Sequence, residues 1–434
     1  MKTRMLFYLG RRLLANRLRR RFGYPAIPYK LLWNTTNYCN SRCRTCNIWQ
    51  IYPINGGSQN DELKAAEAAR IISSLGKNLL WLTMTGGEPT LKSHMADAVK
   101  AIYDACPRLA LITVNTNAII PNQTLKVMEA IASHCKRAEV HVLLSLDGIG
   151  AVHDDVRGVP GNYDSIVEAH RRLNELRQRH PNLRIGFQST VSSYNLPHLE
   201  DLIDFCLRNS DEHSITFAQE AELYRNHGDG HDVTIDRSAL LPALGKIIKR
   251  YKIRHPHDFL QWAHLRLMGH FISDRKVPVP CTAGSSTITL GPRGDVSGCL
   301  FLDNRIGNAK DFDDDLMRMI RTERAKQVQN DCASCEQCWT NCESFPSMMS
   351  SPLKTLIHTL RPIGTRVDAR QPRTEGRGGP ESRPSLPVLD ELPAPPVLGG
   401  FSLQDPGTHP SSVPVPGTIC STAALTEIIP PKES

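Results

Sequence analysis

From Lys30 to about Phe217, short apolar runs alternate with longer stretches of helical period, and this alternation constrains the fold more than any other feature. The strand candidates are Lys30–Thr36, Leu79–Thr85, Leu109–Asn117, Glu139–Leu146, Arg184–Val191 and His213–Phe217. Between them the period predicts helices near Asp61–Leu75, Leu91–Ala105, Gln123–Ser133, Tyr163–Arg179 and Leu196–Arg208. Strands joined through a helical crossover run parallel, so six such units imply an α/β chain with a parallel sheet, open or rolled into a partial barrel. Ligands of such sheets gather at the carboxyl ends of the strands.

The chain has 434 residues, 40% hydrophobic and 22% charged, which excludes a fully disordered protein and a small disulfide scaffold. No apolar run reaches the roughly 18–20 residues a membrane-crossing helix needs. The Met5–Leu9 run is also too short for a secretory leader. A cytoplasmic location follows as the expectation, with the thirteen cysteines reduced and serving as metal ligands or core residues. Residues 1–30 carry nine Lys and Arg and no acid, against a net +8 for the whole chain, so the body is close to neutral and no nucleic-acid partner is expected. Leu6, Leu9, Leu13 and Leu18, with Phe7 and Leu14, recur at helical spacing among those arginines. This predicts a basic amphipathic arm (1–29), suited to peripheral contact with an anionic inner-membrane leaflet or to packing on the body.

The remaining boundaries follow composition. The βα core spans 30–218. A helical linker or substrate wall spans 219–280, with helices near Leu240–Tyr251 and Phe259–Ile272, and a second cysteine region spans 281–345. Residues 351–434 hold 15 of the 30 prolines and no hydrophobic period, so a disordered Pro-rich tail is expected over 346–434, with Cys420 inert in it.

Cys39, Cys43 and Cys46 form C-x3-C-x2-C in the loop after the first strand. Three thiolates can hold three irons of a [4Fe–4S] cube and leave the fourth iron open. A zinc site would want four closed ligands, and no histidine or fourth cysteine lies nearby to complete one, although a ligand from afar could. At the end of the second strand stands Thr85-Gly86-Gly87-Glu88-Pro89, in which paired glycines admit close approach to the backbone and Glu88 offers an acceptor for an ammonium group.

Together these two motifs resemble the radical S-adenosylmethionine (SAM) superfamily. The resemblance covers roughly residues 30–345 and implies a partial (β/α)6 TIM-like barrel. It also implies a [4Fe–4S] cluster on Cys39, Cys43 and Cys46 whose open iron binds SAM, with Gly86, Gly87, Glu88 and Pro89 holding the methionine end. Thr45 departs from the aromatic that the family often carries before its third cysteine, and Tyr38 or Trp49 could take over the adenine contact. By the same resemblance Ser145, Asp147 and Arg157, at and after the fourth strand, approach the SAM ribose and carboxylate. Asn115 and Asn117 end the third strand at the same mouth.

Cys281, Cys299, Cys332, Cys335, Cys338 and Cys342 make up the second cysteine region, the last four spaced C-x2-C-x2-C-x3-C, a metal site of either zinc or iron–sulfur type. Beside a radical SAM core, this region resembles the SPASM/twitch extension, which implies one or two auxiliary [4Fe–4S] clusters. Its spacing departs from the usual C-x2-C-x5-C-x3-C, and Leu300 stands where some SPASM enzymes carry an acidic base, leaving Asp303 as the nearest catalytic candidate. The function so implied is reductive cleavage of SAM and hydrogen abstraction from a peptide, sugar-like or lipid substrate, as an oxidoreductase or maturase. The electron donor would be a flavodoxin or ferredoxin. The alternative is a non-catalytic iron–sulfur or zinc scaffold that recruits a partner through its tail.

Overall fold

Six strands form where the alternation places them: β1 (Lys30–Asn34), β2 (Trp81–Thr85), β3 (Leu111–Thr116), β4 (Glu139–Ser145), β5 (Leu183–Val191) and β6 (Glu212–Phe217). The protein is seen here as a computed structural model, which describes residues 3–210, 212–218, 235, 237–251, 253, 256–274, 276–302 and 304–363. These described residues lie in one unit, Met1–Leu386. Helix α1 (Thr3–Arg21) precedes the sheet, and α2 (Ile51–Asn55) and α3 (Ala65–Ser73) join β1 to β2. The later crossovers are α4 (Met95–Ala105), α5 (Pro121–His134), α6 (Ala151–Arg157) with α7 (Asn162–Arg179), and α8 (Leu199–Asn209).

The strands pair in chain order and all in parallel. Winding in one direction with right-handed crossovers puts every helix on one face and leaves the other free to enclose a cavity. The result is the partial barrel. Side chains alternate accordingly: Leu31, Trp33, Leu82, Met84, Ile112 and Val114 are fully buried against the helices. Their neighbours Leu32, Thr83, Thr85, Thr113, Asn115 and His141 face the cavity.

The sheet does not stop at β1. Helices α9 (Arg237–Arg250) and α10 (Pro256–Asp274) follow β6, and then β7 (Thr287–Leu290) pairs in parallel with the free edge of β1, Lys30 against Thr287 and Trp33 against Leu290. β8 (Asp295–Ser297) and β9 (Arg305–Asn308) extend it antiparallel into a nine-stranded sheet. The second cysteine region is therefore built onto the barrel's edge, with α11 (Leu316–Ile320) and α12 (Glu323–Ala333) after the hairpin.

Where the disordered tail is expected from residue 346, the described residues are largely helical to Leu360. Helices α13 (Asn341–Ser350) and α14 (Pro352–Leu360) run through the first part of it. Their inward faces are rich in hydroxyls: Ser344 and Ser347 are buried on α13 beside Glu343, Pro346 and Met348, and Thr355 and Thr359 on α14. The Thr355 hydroxyl donates to the carbonyls of Met348 (3.1 Å) and Ser351 (2.9 Å), and that of Thr359 to Thr355 (2.6 Å). A helix docked by hydroxyls has no apolar period facing the core, which is why the pattern concealed it. Residues 364–434, and with them the rest of the expected tail, lie outside the described residues.

The basic arm folds as a helix packed on the body. Met5 and Leu9 are buried, the latter with Tyr29 and Leu80. The Asn16 amide donates to the Ile27 carbonyl (2.9 Å) and accepts from the Ile27 N–H (3.0 Å). Arg12 bonds Asn78 and Arg20 bonds Ser285. Among the described residues no helix is long and apolar enough to cross a membrane.

Candidate active site

The loop that follows β1 carries Cys39, Cys43 and Cys46 to the mouth of the barrel cavity, all three in its wall. Backbone contacts to the end of α6 hold the loop: Arg42 N–H donates to the Arg157 carbonyl (3.0 Å) and Arg44 N–H to that of Val156 (2.9 Å). The Ser41 hydroxyl lies 3.1 Å from the Cys43 sulfur and also donates to the Arg157 carbonyl. Burial pushes the Cys39 and Cys46 thiols up, Cys46 to about 12. Without a cation such thiols stay protonated, and a bound metal would displace their protons. Of the two aromatics expected to serve adenine, Trp49 lines the cavity, with Arg42 stacked 4.7 Å from its ring. Tyr38 points outward and is 41% exposed.

Gly86 and Gly87 lie flush against the base of this loop. Gly86 has φ +117°, and a Cβ there would overlap the Asn34 side chain and stand 2.6 Å from the Thr36 carbonyl oxygen. A Cβ on Gly87 would overlap the Tyr38 carbonyl. In return, Gly87 N–H donates to the Thr36 carbonyl (2.7 Å) and Glu88 N–H to that of Tyr38 (2.9 Å). Glu88 itself is buried, its carboxylate accepting from the Thr90 N–H and hydroxyl, the Thr116 hydroxyl (2.8 Å) and the Asn117 N–H (2.7 Å). Four donors fill its acceptor positions, so this carboxylate braces the turn against the end of β3. Pro89 sets the first position of the short turn that follows.

Asn117 reaches the cysteine loop as well, donating to the Asn40 side chain at 2.8 Å and lying 3.8 Å from the Cys39 sulfur. Ser145 lines the cavity at the end of β4. Asp147, just beyond it, is buried, accepts from the Thr190 N–H (2.7 Å) and pairs with the Arg157 Nε at 2.9 Å. The Arg157 guanidinium also donates to the Cys43 sulfur at 3.5 Å. Burial opposes the Arg157 charge, but Asp147 and Cys43 outweigh it and keep the guanidinium protonated. Gly86, Gly87, Glu88, Asn117, Ser145 and Arg157 thus line one cavity, whereas Pro89 and Asp147 lie outside its lining, Asp147 joined to the cysteine loop through Arg157.

Behind the mouth the cavity measures about 1010 Å3, at the top of the ~300–1,000 Å3 range of ligand pockets. Its floor holds charged groups that motif reading passed over. Lys30 is buried, its ammonium 4.0 Å from the Trp81 ring centroid and donating to the Cys342 carbonyl at 2.5 Å. His141 pairs with Glu212 at 2.7 Å and lies 3.8 Å from Glu139. Burial works to neutralise this imidazole, but the two carboxylates prevail and hold it up at about 9. The signal for both was a charge at an inward position of an otherwise apolar strand. Thr83 and Gln261 also face this space, and the Thr83 hydroxyl and Gln261 amide nitrogen are buried with no hydrogen-bond partner among the described residues.

A second cavity of about 80 Å3 is lined by Cys281, Cys299, Cys332, Cys335 and Cys338, together with Glu343. Cys342 is not among them. It lines the barrel cavity instead, with the Thr340 hydroxyl 3.0 Å from its sulfur. Phe301 contributes to both walls. Burial raises the Cys332 and Cys338 thiols to about 12, and that of Cys299 to about 11. Among the described residues no group of three or more His, Cys, Asp or Glu side chains is arranged to hold a single metal ion. Asp303, the catalytic candidate, lies outside the described residues.

The radical SAM superfamily profile matches residues 33–206, from β1 through α8. Residues 33–206 are a radical SAM domain. The pre-heme d1 synthase of Dinoroseobacter shibae is 26% identical to this chain over 178 residues, 41% of the chain and 40% of that protein. The sporulation killing factor maturation protein SkfB of Bacillus subtilis is 22% identical over 182 residues, 42% of the chain and 40% of that protein. The matched segments thus span about two-fifths of these relatives' own length. Among solved structures, Streptococcus suis SuiB bound to the precursor peptide SuiA superposes with a TM-score of 0.52 at 18% identity, covering 74% of this chain and 70% of that one. The two proteins share a fold over that part of their length.

Proposed function

We propose that this radical SAM protein is an enzyme that abstracts a hydrogen atom from a substrate held in its barrel cavity. The observation that carries the reading is the flush fit of Gly86-Gly87 on the Cys39–Cys46 loop, which sets three thiols and a Gly-Gly-Glu-Pro turn around one cavity mouth. When bound there, a [4Fe–4S] cluster on Cys39, Cys43 and Cys46 supplies the electron that cleaves SAM to methionine and a 5′-deoxyadenosyl radical. The protein's part is to hold and orient. Gly86 and Gly87 present backbone to the methionine end, while Glu88 braces the turn from behind. Ser145 and Asn117 stand beside the ribose and carboxylate, and Trp49 offers its ring to adenine. Arg157 sets its charge against Cys43, with Asp147 fixing the guanidinium.

For the substrate, the cavity supports a polar group, because Lys30, Thr113, Asn115 and His141 line its wall. The likeness to a peptide maturation protein and to a tetrapyrrole synthase favours a peptide or a functionalised small molecule. We assign one auxiliary [4Fe–4S] cluster to the small cavity, drawing four ligands from Cys281, Cys299, Cys332, Cys335 and Cys338, and we leave Cys342 as a wall of the substrate chamber. A cluster held by these thiolates would supply an acceptor for the second electron, and a flavodoxin or ferredoxin would supply the first.

Reduced, anaerobically reconstituted protein is expected to show an electron paramagnetic resonance signal that SAM perturbs. Changing Cys332, Cys335 and Cys338 together to Ala is expected to remove about four irons per chain and leave the SAM-sensitive signal intact. Cys342→Ala is expected to keep all the iron. A signal indifferent to SAM would overturn the enzyme reading and favour the scaffold. An iron count unchanged by the triple substitution would overturn the auxiliary cluster alone.

A further inference from the structure

We propose that α1 and α14 together form a surface that docks on an anionic lipid bilayer. Helix α14 has inverted polarity. It buries Thr355 and Thr359 and turns Leu353, Leu356, Ile357 and Leu360 outward, at 70, 47, 57 and 69% exposure. At ~100° per residue those four fall on one stripe opposite the threonines. The helix cannot roll to hide them. Arg266 donates to the carbonyls of Thr359 (3.1 Å) and Arg361 (2.8 Å), and Ile363 packs where the chain passes Gly269 of α10.

Helix α1 repeats the arrangement at the other end of the chain. Its inner face is Met5, Leu9 and Asn16, and on the opposite side Phe7, Leu14 and Leu18 are exposed, within ~40° of one another. Phe22 and Tyr24 continue that exposed row past the helix end. Met349, three residues before α14, packs on the Leu9–Tyr29–Leu80 cluster beside Leu13 of α1. The start of α14 thus follows, within three residues, the end of α13 that shares this cluster with α1.

Charge decides the occupant. The first acidic residue of the chain is Asp61, and none lies between Glu343 and Asp368. Arg11, Arg17 and Arg21 accompany the outward face of α1, and Lys354 that of α14, while Arg361 pairs with Asp274 of α10 at 3.5 Å. A second copy would bring two segments rich in Lys and Arg together, whereas an anionic leaflet complements the basic groups while its acyl boundary receives the leucines. A row of apolar side chains buried only to the headgroup boundary gives reversible, salt-sensitive binding.

The full-length reconstituted protein should pellet with vesicles of phosphatidylcholine and phosphatidylglycerol. It should partition at least about tenfold less into pure phosphatidylcholine, or at roughly 0.5 M salt. The pair Leu356→Glu with Leu360→Glu, and separately Phe7→Glu with Leu14→Glu, should each cut partitioning about tenfold with iron content and sedimentation coefficient unchanged. Failure of the wild type to pellet with anionic vesicles would overturn the proposal, as would pelleting of both pairs like wild type. A wild-type dimer that the glutamates split would assign the face to a second copy instead. Binding that appears only after deletion of residues 364–434 would assign it to the chain's own tail.

Discussion

Gly87→Ala is expected to prevent assembly of the Cys39–Cys43–Cys46 cluster and to destabilise the fold by about 3–5 kcal/mol. The added Cβ would overlap the Tyr38 carbonyl oxygen and stand 2.6 Å from its carbon, with the Asn37 carbonyl carbon at 3.2 Å behind. These are backbone atoms, which cannot swing aside as the end of a long side chain can. To admit the methyl group the loop must withdraw, breaking the Gly87–Thr36 and Glu88–Tyr38 hydrogen bonds and moving Cys39, the residue after Tyr38, out of register with the other two thiols. Iron content after reconstitution and the thermal midpoint measure the two effects. Gly245→Ala is the control. It lies within α9, nothing stands within 4 Å of its added Cβ, and the change should be neutral or stabilise by up to about 1 kcal/mol through helix propensity.

The second large effect concerns the ion pair that ties β4 to the cysteine loop. Arg157→Met is expected to cost about 3–5 kcal/mol, because Asp147 would remain as a buried carboxylate without its cation. The Asp147 side chain is 1% exposed and that of Arg157 13%, so water cannot take over the missing partner. The same substitution removes the donor at the Cys43 sulfur, so the cluster should be lost more readily on exposure to a chelator. Asp147→Asn should cost less in iron retention, because Arg157 keeps its contact with Cys43. Denaturant titration of both variants, with iron release followed in parallel, separates the two contributions. Equal stability of Arg157→Met and wild type would remove the pair from the account of the site.

The barrel was legible because its strands are apolar on the helix face throughout, so the βα alternation survives even where inward positions carry Thr83, Asn115 or His141. The cysteine triplet and the Gly-Gly-Glu-Pro turn were legible because their function constrains spacing within one loop. What escaped was long-range pairing. Nothing in Thr287–Leu290 announces that it will lie along β1, and only the sheet reveals that the second cysteine region is built on the barrel's edge. Spacing alone grouped Cys342 with Cys332, Cys335 and Cys338, whereas in the structure Cys342 is a lining residue of the barrel cavity. The role of Glu88 depended on Thr116 and Asn117 arriving from β3, donors about thirty residues away that no motif includes. Helix α14 escaped because its buried face is threonine.

The central claim is that these residues make a site for radical chemistry on SAM, and the formation of 5′-deoxyadenosine tests it most directly. Anaerobically reconstituted full-length protein, incubated with SAM and dithionite, is expected to release 5′-deoxyadenosine above the level of a protein-free control, and Cys43→Ala is expected to release none. Wild-type protein that carries its iron and binds SAM yet yields no 5′-deoxyadenosine would contradict the account.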